Sequence, residues 1–302
     1  MTQPYSVRFM IAAHFLLLAL VATHAAQSRS QSLVPAPALT EIANTTVRGL
    51  PGLQPVKLVA GLWEGPPAVA GGSSRDTVTL ASEFEVNGDI DNDGIGDTIA
   101  HLSLNRGGSG TINMLAVFSE ARGVVVQKAI FTLGDRVQIY ASDLYDNQLT
   151  VTVIEAGPTD AMCCPTQMTR KTLRLENDEL VEKDSTVLGF LSFETLAGSR
   201  WTLHPENEDQ PPEGTTVNIK FSNQLISGNA GCNRFKTIVS QGAENTALST
   251  GQVALTRRYC NAPLDVWEKR FSELLGSATR FQFLLGDLLL IGESGRLRLR
   301  RA

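Results

Sequence analysis

The chain has 302 residues, 42% of them hydrophobic and 19% charged, which is enough apolar material for one or two packed domains and excludes a wholly disordered chain. Its 26 Lys and Arg against 31 Asp and Glu leave a formal charge of −5, without the basic excess that holds a phosphate backbone, so nucleic acid is not an expected partner. Four histidines are thin material for acid–base or zinc chemistry, and His14 and His24 fall in a segment expected to be removed.

In chain order, residues 1–25 carry one positive charge, Arg8, then the apolar run Phe9 to Ala22, then Thr23-His24-Ala25. This is the layout of a secretory signal peptide cleaved after Ala25. The run is shorter than the about 20 residues that cross a bilayer and nothing later is as apolar, so no transmembrane segment is expected in the mature chain. A periplasmic or secreted protein is implied. Residues 26–38, rich in Gln, Ser and Pro, read as a flexible spacer.

A first domain is expected over residues 39–183. Its strand-like runs are Val56 to Leu62, Thr77 to Leu80, Ile112 to Phe118, Val124 to Leu133, Val137 to Tyr140, Leu149 to Ile154 and Thr172 to Leu175, each bounded by Gly, Asp or Asn. Leu149 to Val153 alternates apolar and Thr residues with the period of a half-buried strand. The charged stretch Glu176 to Ser185 reads as the separator from a second domain over 192–302.

There, Arg200 to Leu203, Val217 to Phe221, Leu225 to Ser227, Phe235 to Val239 and Val253 to Thr256 read as strands. The period then changes: Leu264, Trp267, Phe271, Leu274 and Leu275 form the stripe of an amphipathic helix, with Pro263 near its first turn and Gly276 placed to stop it. Arg280 to Leu285, Leu288 to Ile291 and Arg296 to Arg300 close the chain, the last with leucines inward and arginines in solvent. The fold class is α+β: two mostly antiparallel β domains, the C-terminal one a sheet packed with a single helix.

The sharpest motif is Asp89-Ile90-Asp91-Asn92-Asp93-Gly94-Ile95-Gly96-Asp97. Carboxylates at positions 1, 3, 5 and 9, a glycine at 6 and the Ile95 carbonyl at 7 match the first part of a calcium loop, the oxygen-only donor set that a hard cation takes. Position 12, the bidentate Glu of an EF-hand, is Ala100, so calcium binding is expected to be weak and structural. The alternative is a solvated acidic turn. Asn105-Arg106-Gly107-Gly108-Ser109-Gly110 lacks the Lys-Ser/Thr pair of a phosphate loop and reads as a turn between strands, while His101 and His204 read as surface or hydrogen-bonded residues. No catalytic residue is assigned.

Cysteines Cys163, Cys164, Cys232 and Cys260 are an even set in an exported chain, where disulfides are favoured over zinc; three connectivities are open. The neighbours Cys163 and Cys164 either pair with each other or reach two distant partners.

Leu196-Ala197-Gly198-Ser199-Arg200-Trp201-Thr202-Leu203, then Gly231-Cys232-Asn233-Arg234-Phe235, Arg258-Tyr259-Cys260 and Trp267-Glu268 resemble, in order and spacing, the META domain (HslJ-like) family over residues 192–302. The region ahead, marked by Gly88 to Gly94, Gly107 to Thr111, Leu133 to Val137 and Cys163-Cys164-Pro165-Thr166, resembles a domain often found before META domains in exported bacterial proteins. The resemblance and the exported setting imply a Cys232–Cys260 disulfide, and Cys163–Cys164 pairing then leaves each domain its own bridge. They also imply a non-enzymatic cell-envelope protein, acting in envelope stress or through contact with an envelope protein. The alternatives are an inhibitor or ligand-binding module and an unrecognised hydrolase.

Overall fold

A computed structural model describes residues 34–161 and 163–302; the expected signal peptide and the start of the spacer lie outside the described residues. A one-turn helix, α1 (Leu39–Ile42), and the pair β1 (Thr46–Val47) and β2 (Val56–Lys57) precede a five-stranded antiparallel sheet. That sheet is β3 (Leu62–Pro67), β4 (Arg75–Gly88), β5 (Asp97–Asn105), β6 (Thr111–Ala121) and β7 (Val124–Asp135), in that order. A second meander follows: β8 (Gln138–Tyr145), β9 (Gln148–Glu155), β10 (Gln167–Glu176) and β11 (Glu179–Phe190). In the two-residue turns Arg122-Gly123, Asp146-Asn147 and Asn177-Asp178 both residues have positive φ, the condition of hairpin turns whose twist matches that of the strands they join.

The five-stranded sheet is covered on both faces. Ile99, Leu115 and Val117 point to a core shared with Ile139, Val151 and Leu173 of the second meander. Alternate residues Ala100, Leu102, Met114 and Phe118 point the other way, onto Ile42, Val47, Val56 and Leu58 of the first segment. Successive side chains of a strand leave opposite faces, so two cores bury both sets and β5 and β6 show nearly unbroken buried runs.

After a 3-10 turn (Phe193–Leu196) come β12 (Arg200–Leu203), β13 (Asn218–Ser222), β14 (Leu225–Asn229), β15 (Arg234–Gln241), β16 (Leu248–Thr250), β17 (Ala254–Leu255), α2 (Leu264–Gly276), β18 (Ala278–Leu284), β19 (Asp287–Gly292) and β20 (Gly295–Arg301). The sheet order is β16-β15-β14-β13-β12-β20-β19-β18, with β17 beside β15. Its ends meet: the Phe281 N–H donates to the Thr246 carbonyl at 3.0 Å and Ala247 bridges Arg280, giving a nearly closed barrel. α2 lies on this sheet by the face that carries Trp267, Phe271, Leu274 and Leu275, all buried, as the sequence pattern requires. Among the described residues no helix is long and apolar enough to cross a membrane.

The α+β class, the mostly antiparallel sheets and the single long helix agree with the sequence reading. Three of the expected segments differ in structure. Val56 to Leu62 is not one strand but parts of β2 and β3, parted by Ala60 at positive φ and Gly61. Glu176 to Ser185 is not a separator but the turn and first half of β11, which pairs with β10 along its length; its charges sit on an edge strand with only Leu180 buried. Of the residues expected as a flexible spacer, 34–38 are docked: the Gly96 N–H donates to the Val34 carbonyl at 2.8 Å, the Thr98 hydroxyl to the Pro37 carbonyl at 2.6 Å, and Pro37 is buried.

The two domains are in contact. The Tyr140 ring meets Phe283 edge-on at 4.7 Å between centroids, the Phe283 N–H donates to Gln138 Oε1 at 2.7 Å, and Ile154 and Met168 complete the C-terminal core.

Candidate functional site

Asp89 to Asp97 forms the turn of the β4–β5 hairpin, with Asn92 and Gly94 at positive φ to close it. Backbone N–H groups tie one side of the carboxylates. Asp89 accepts from Asp93 at 3.1 Å and Gly94 at 3.0 Å, Asp91 Oδ1 from Asp93 at 3.2 Å, Asp93 Oδ1 from Ile95 at 2.8 Å and Asp97 Oδ2 from Ile90 at 3.0 Å. One ligand atom each from Asp89, Asp91 and Asp97 lies within 4.8 Å of the others, a spacing that a shared ion with 2.3–2.6 Å bonds spans. Asp93 stands at the rim. Ala100, the twelfth position, is fully buried inside β5 opposite Glu85 and Ala116, so an EF-hand acid has no place there; Asp97, fully buried at the start of β5, is the inner acid instead.

Sequence reasoning missed Lys128. In the β6–β7 ladder Val117 pairs with Ala129 and Phe118 with Gln127, so Lys128 is the extra residue of a bulge, a device that re-aims a side chain. Its Nζ lies 2.7 Å from Asp91 Oδ2, 2.8 Å from Asp93 Oδ2 and 3.3 Å from Asp97 Oδ1, with the side chain 15% exposed. The signal was present: Lys128 is the one charged residue in the run Val124 to Leu133. Burial disfavours its cation, but the bonds to Asp91 and Asp93 outweigh that and raise its pKa above the ordinary lysine value. Burial likewise resists ionisation of Asp93, which the Lys128 bond and the Ile95 N–H hold below the usual carboxylate range. In Asp97 burial wins and its pKa is raised. Asp97 Oδ1 is buried and accepts no hydrogen bond.

A second charged cluster joins the domains. Residues 81–84 of β4 bulge out between the pairs Leu80–Leu102 and Glu85–Ala100, bringing Glu83 to Arg298 of β20. Arg298 also bonds Asp287, through Nε at 2.8 Å and Nη2 at 2.7 Å. Leu297 and Leu299 point inward as expected and Arg296 and Arg300 are exposed; Arg298, expected in solvent, is instead folded into this cluster with its side chain 13% exposed. His204 is buried beside it, its Nε2 3.4 Å from Asp287 Oδ2. The Glu206 N–H donates to Nδ1 at 3.0 Å and an Arg300 nitrogen lies 2.9 Å from Nε2. With Nδ1 accepting, the ring proton sits on Nε2, the nitrogen that faces Asp287, and burial together with the Arg298 charge lowers the His204 pKa. His101, in β5, is buried against Asn113, its Nε2 2.9 Å from Oδ1, and burial lowers its pKa too.

The structure joins Cys232 to Cys260, with Cα atoms 6.2 Å apart, and Cys163 to Cys164. Glu268, buried on α2, accepts N–H bonds from Cys232 at 3.0 Å, from the Asn233 backbone, and from Asn233 Nδ2 at 2.7 Å, pinning the cysteine loop to the helix. Asn105 to Gly110 is the β5–β6 turn, closed by the Asn105 side chain on the Gly108 and Gly110 carbonyls.

The family model described as META domain matches residues 194–302. The chain is similar to a solved NMR structure of a protein from Burkholderia xenovorans, at 21% identity over 36% of this chain and 86% of that one, with a TM-score of 0.31. A second NMR structure is 25% identical over 36% of this chain and 94% of that one, with a TM-score of 0.31. No curated protein matches.

Proposed function

We propose, from the META domain at residues 194–302, that this chain is an exported, non-enzymatic protein of the cell envelope that acts in envelope stress through protein–protein contact. The observation that carries this reading is the pairing of all four cysteines, one bridge within each domain, which suits an oxidising compartment such as the periplasm or the exterior. The secretory layout of residues 1–25 supports the same compartment. Fractionation of cells expressing the full chain, followed by pull-down and mass spectrometry, tests it. The expected result is a processed, disulfide-bonded protein in the periplasm or medium that retains an envelope protein. A full-length, reduced chain in the cytosol defeats it, and turnover in a hydrolase panel that is lost on changing one polar cluster transfers the protein to the enzymes.

A ligand-binding or inhibitory role has one favouring observation. β11 is an edge strand on which Val187, Leu188 and Phe190 are 54%, 44% and 52% exposed, a surface to which a partner strand can add.

Asp89, Asp91, Asp93 and Asp97 with the Ile95 carbonyl are read as a weak, structural calcium site, with a dissociation constant of ~0.1 to 1 mM. The donor set fits: it is all oxygen, and one ligand atom each from Asp89, Asp91 and Asp97 lies within 4.8 Å of the others. At ten times the dissociation constant the folded state gains about 1.4 kcal/mol. Melting temperatures with millimolar calcium and with chelator should differ for the wild type and coincide for Asp91→Ala; equal wild-type values leave an acidic turn.

A further inference from the structure

We propose that Lys128 is a tethered counter-cation of the Asp89–Asp97 loop, and that calcium binds there by displacing its ammonium group. The inference rests on the calcium reading above and adds what regulates that site. Asp91 Oδ1, Asp93 Oδ1 and Asp97 Oδ2 are each held by a backbone N–H. The oxygens left facing inward are Asp91 Oδ2, Asp93 Oδ2 and Asp97 Oδ1, and these three are the atoms that Lys128 Nζ approaches at 2.7, 2.8 and 3.3 Å. An ion bonding the same oxygens at 2.3–2.6 Å would sit almost on the nitrogen, so ammonium and ion exclude one another by both contact and charge.

The two occupants are not equivalent. Lys128 bonds the outer pair closely but stands 3.3 Å from fully buried Asp97 Oδ1 without a hydrogen bond, whereas a cation of calcium size, with bonds of about 2.3–2.6 Å, would close on that oxygen. The lysine stem has four carbons and ends near the surface, so the ammonium can return to water when displaced. Two consequences follow. The loop keeps its shape without the metal, because Lys128 already neutralises part of its charge. Affinity is set by competition, and is therefore weak for a loop with four carboxylates.

Calorimetric calcium titration of the full chain, wild type against Lys128→Met and Lys128→Gln, tests the exchange. Removing the ammonium should tighten binding about tenfold or more. Equal affinities overturn the exchange and leave the calcium reading standing; no binding by any of the three overturns the calcium reading and the exchange with it. The wild type supplies a second readout that does not depend on the variants folding. Acetylation with acetic anhydride, mapped by mass spectrometry, should find Lys128 protected in chelator and several-fold more reactive in calcium chloride, with magnesium chloride as the comparison. Reactivity of Lys128 that is unchanged or reduced by bound calcium refutes displacement.

Discussion

Replacing Arg298 by Met keeps the packing stem and removes the guanidinium that ties the two domains. At about 4 Å and an effective dielectric of about 20, each of its attractions to Glu83 and Asp287 is worth about 4 kcal/mol before desolvation. Desolvation of three charges cancels much of this, and removing one partner of a fully buried pair costs about 3–5 kcal/mol against about 0–1 for a surface pair. Side-chain exposures of 13% for Arg298 and Asp287 and 24% for Glu83 place the cluster between these limits, so Arg298→Met should cost about 2–3 kcal/mol. Urea unfolding, followed by far-UV circular dichroism for both domains and by fluorescence, measures it. Two of the three tryptophans, Trp201 and Trp267, lie in the C-terminal domain, so loss of the clamp should also separate the two transitions. A double-mutant cycle with Glu83→Gln isolates the pair, with an expected coupling of about 1–2 kcal/mol. A coupling below about 0.5 kcal/mol, with coincident transitions in every variant, would show that the clamp contributes nothing.

Leu299→Asp buries an unpaired charge at a fully buried position and should cost more than about 3 kcal/mol; a folded variant with near wild-type urea midpoint refutes the inward register of β20. His101 and His204 have folded-state pKa values below the ordinary 6.5, so the unfolded chain takes up more protons as pH falls through 6.5. Their contribution is fully present above that pH and is lost below it; the urea midpoint should drop between about pH 7.5 and about pH 5.5, and His101→Gln should flatten the slope. An unchanged slope in that variant removes His101 from the account. Limited proteolysis of the native protein should spare residues 176–185, since β11 is paired there; two fragments released without denaturant would restore a linker.

What was legible in the sequence was local. The helix stripe from Leu264 to Leu275 and the alternation of Leu149 to Val153 need only a neighbour three or two residues away to show their period. β5 escaped although His101-Leu102-Ser103-Leu104-Asn105 alternates polar and apolar residues: the alternation covers only its second half, and the polar Asp97, Thr98 and His101 are themselves buried in the sheet. β11 escaped for the opposite reason, having almost no buried face. The acidic loop could be read from spacing alone, yet its cation lies 37 residues from Asp91 along the chain, and Arg298 finds Glu83 across 215 residues. Glu268 looks like a charge misplaced beside an apolar stripe until the cysteine loop 36 residues earlier is seen donating to it.

The two bridges join the first cysteine to the second and the third to the fourth. A chain delivered N-terminus first presents its thiols in the order 163, 164, 232, 260, and each bridge can close before the next pair arrives, with separations of 1 and 28 residues. In the exported setting proposed above, oxidation in order of arrival would give this connectivity directly, so an oxidase without isomerase activity would suffice.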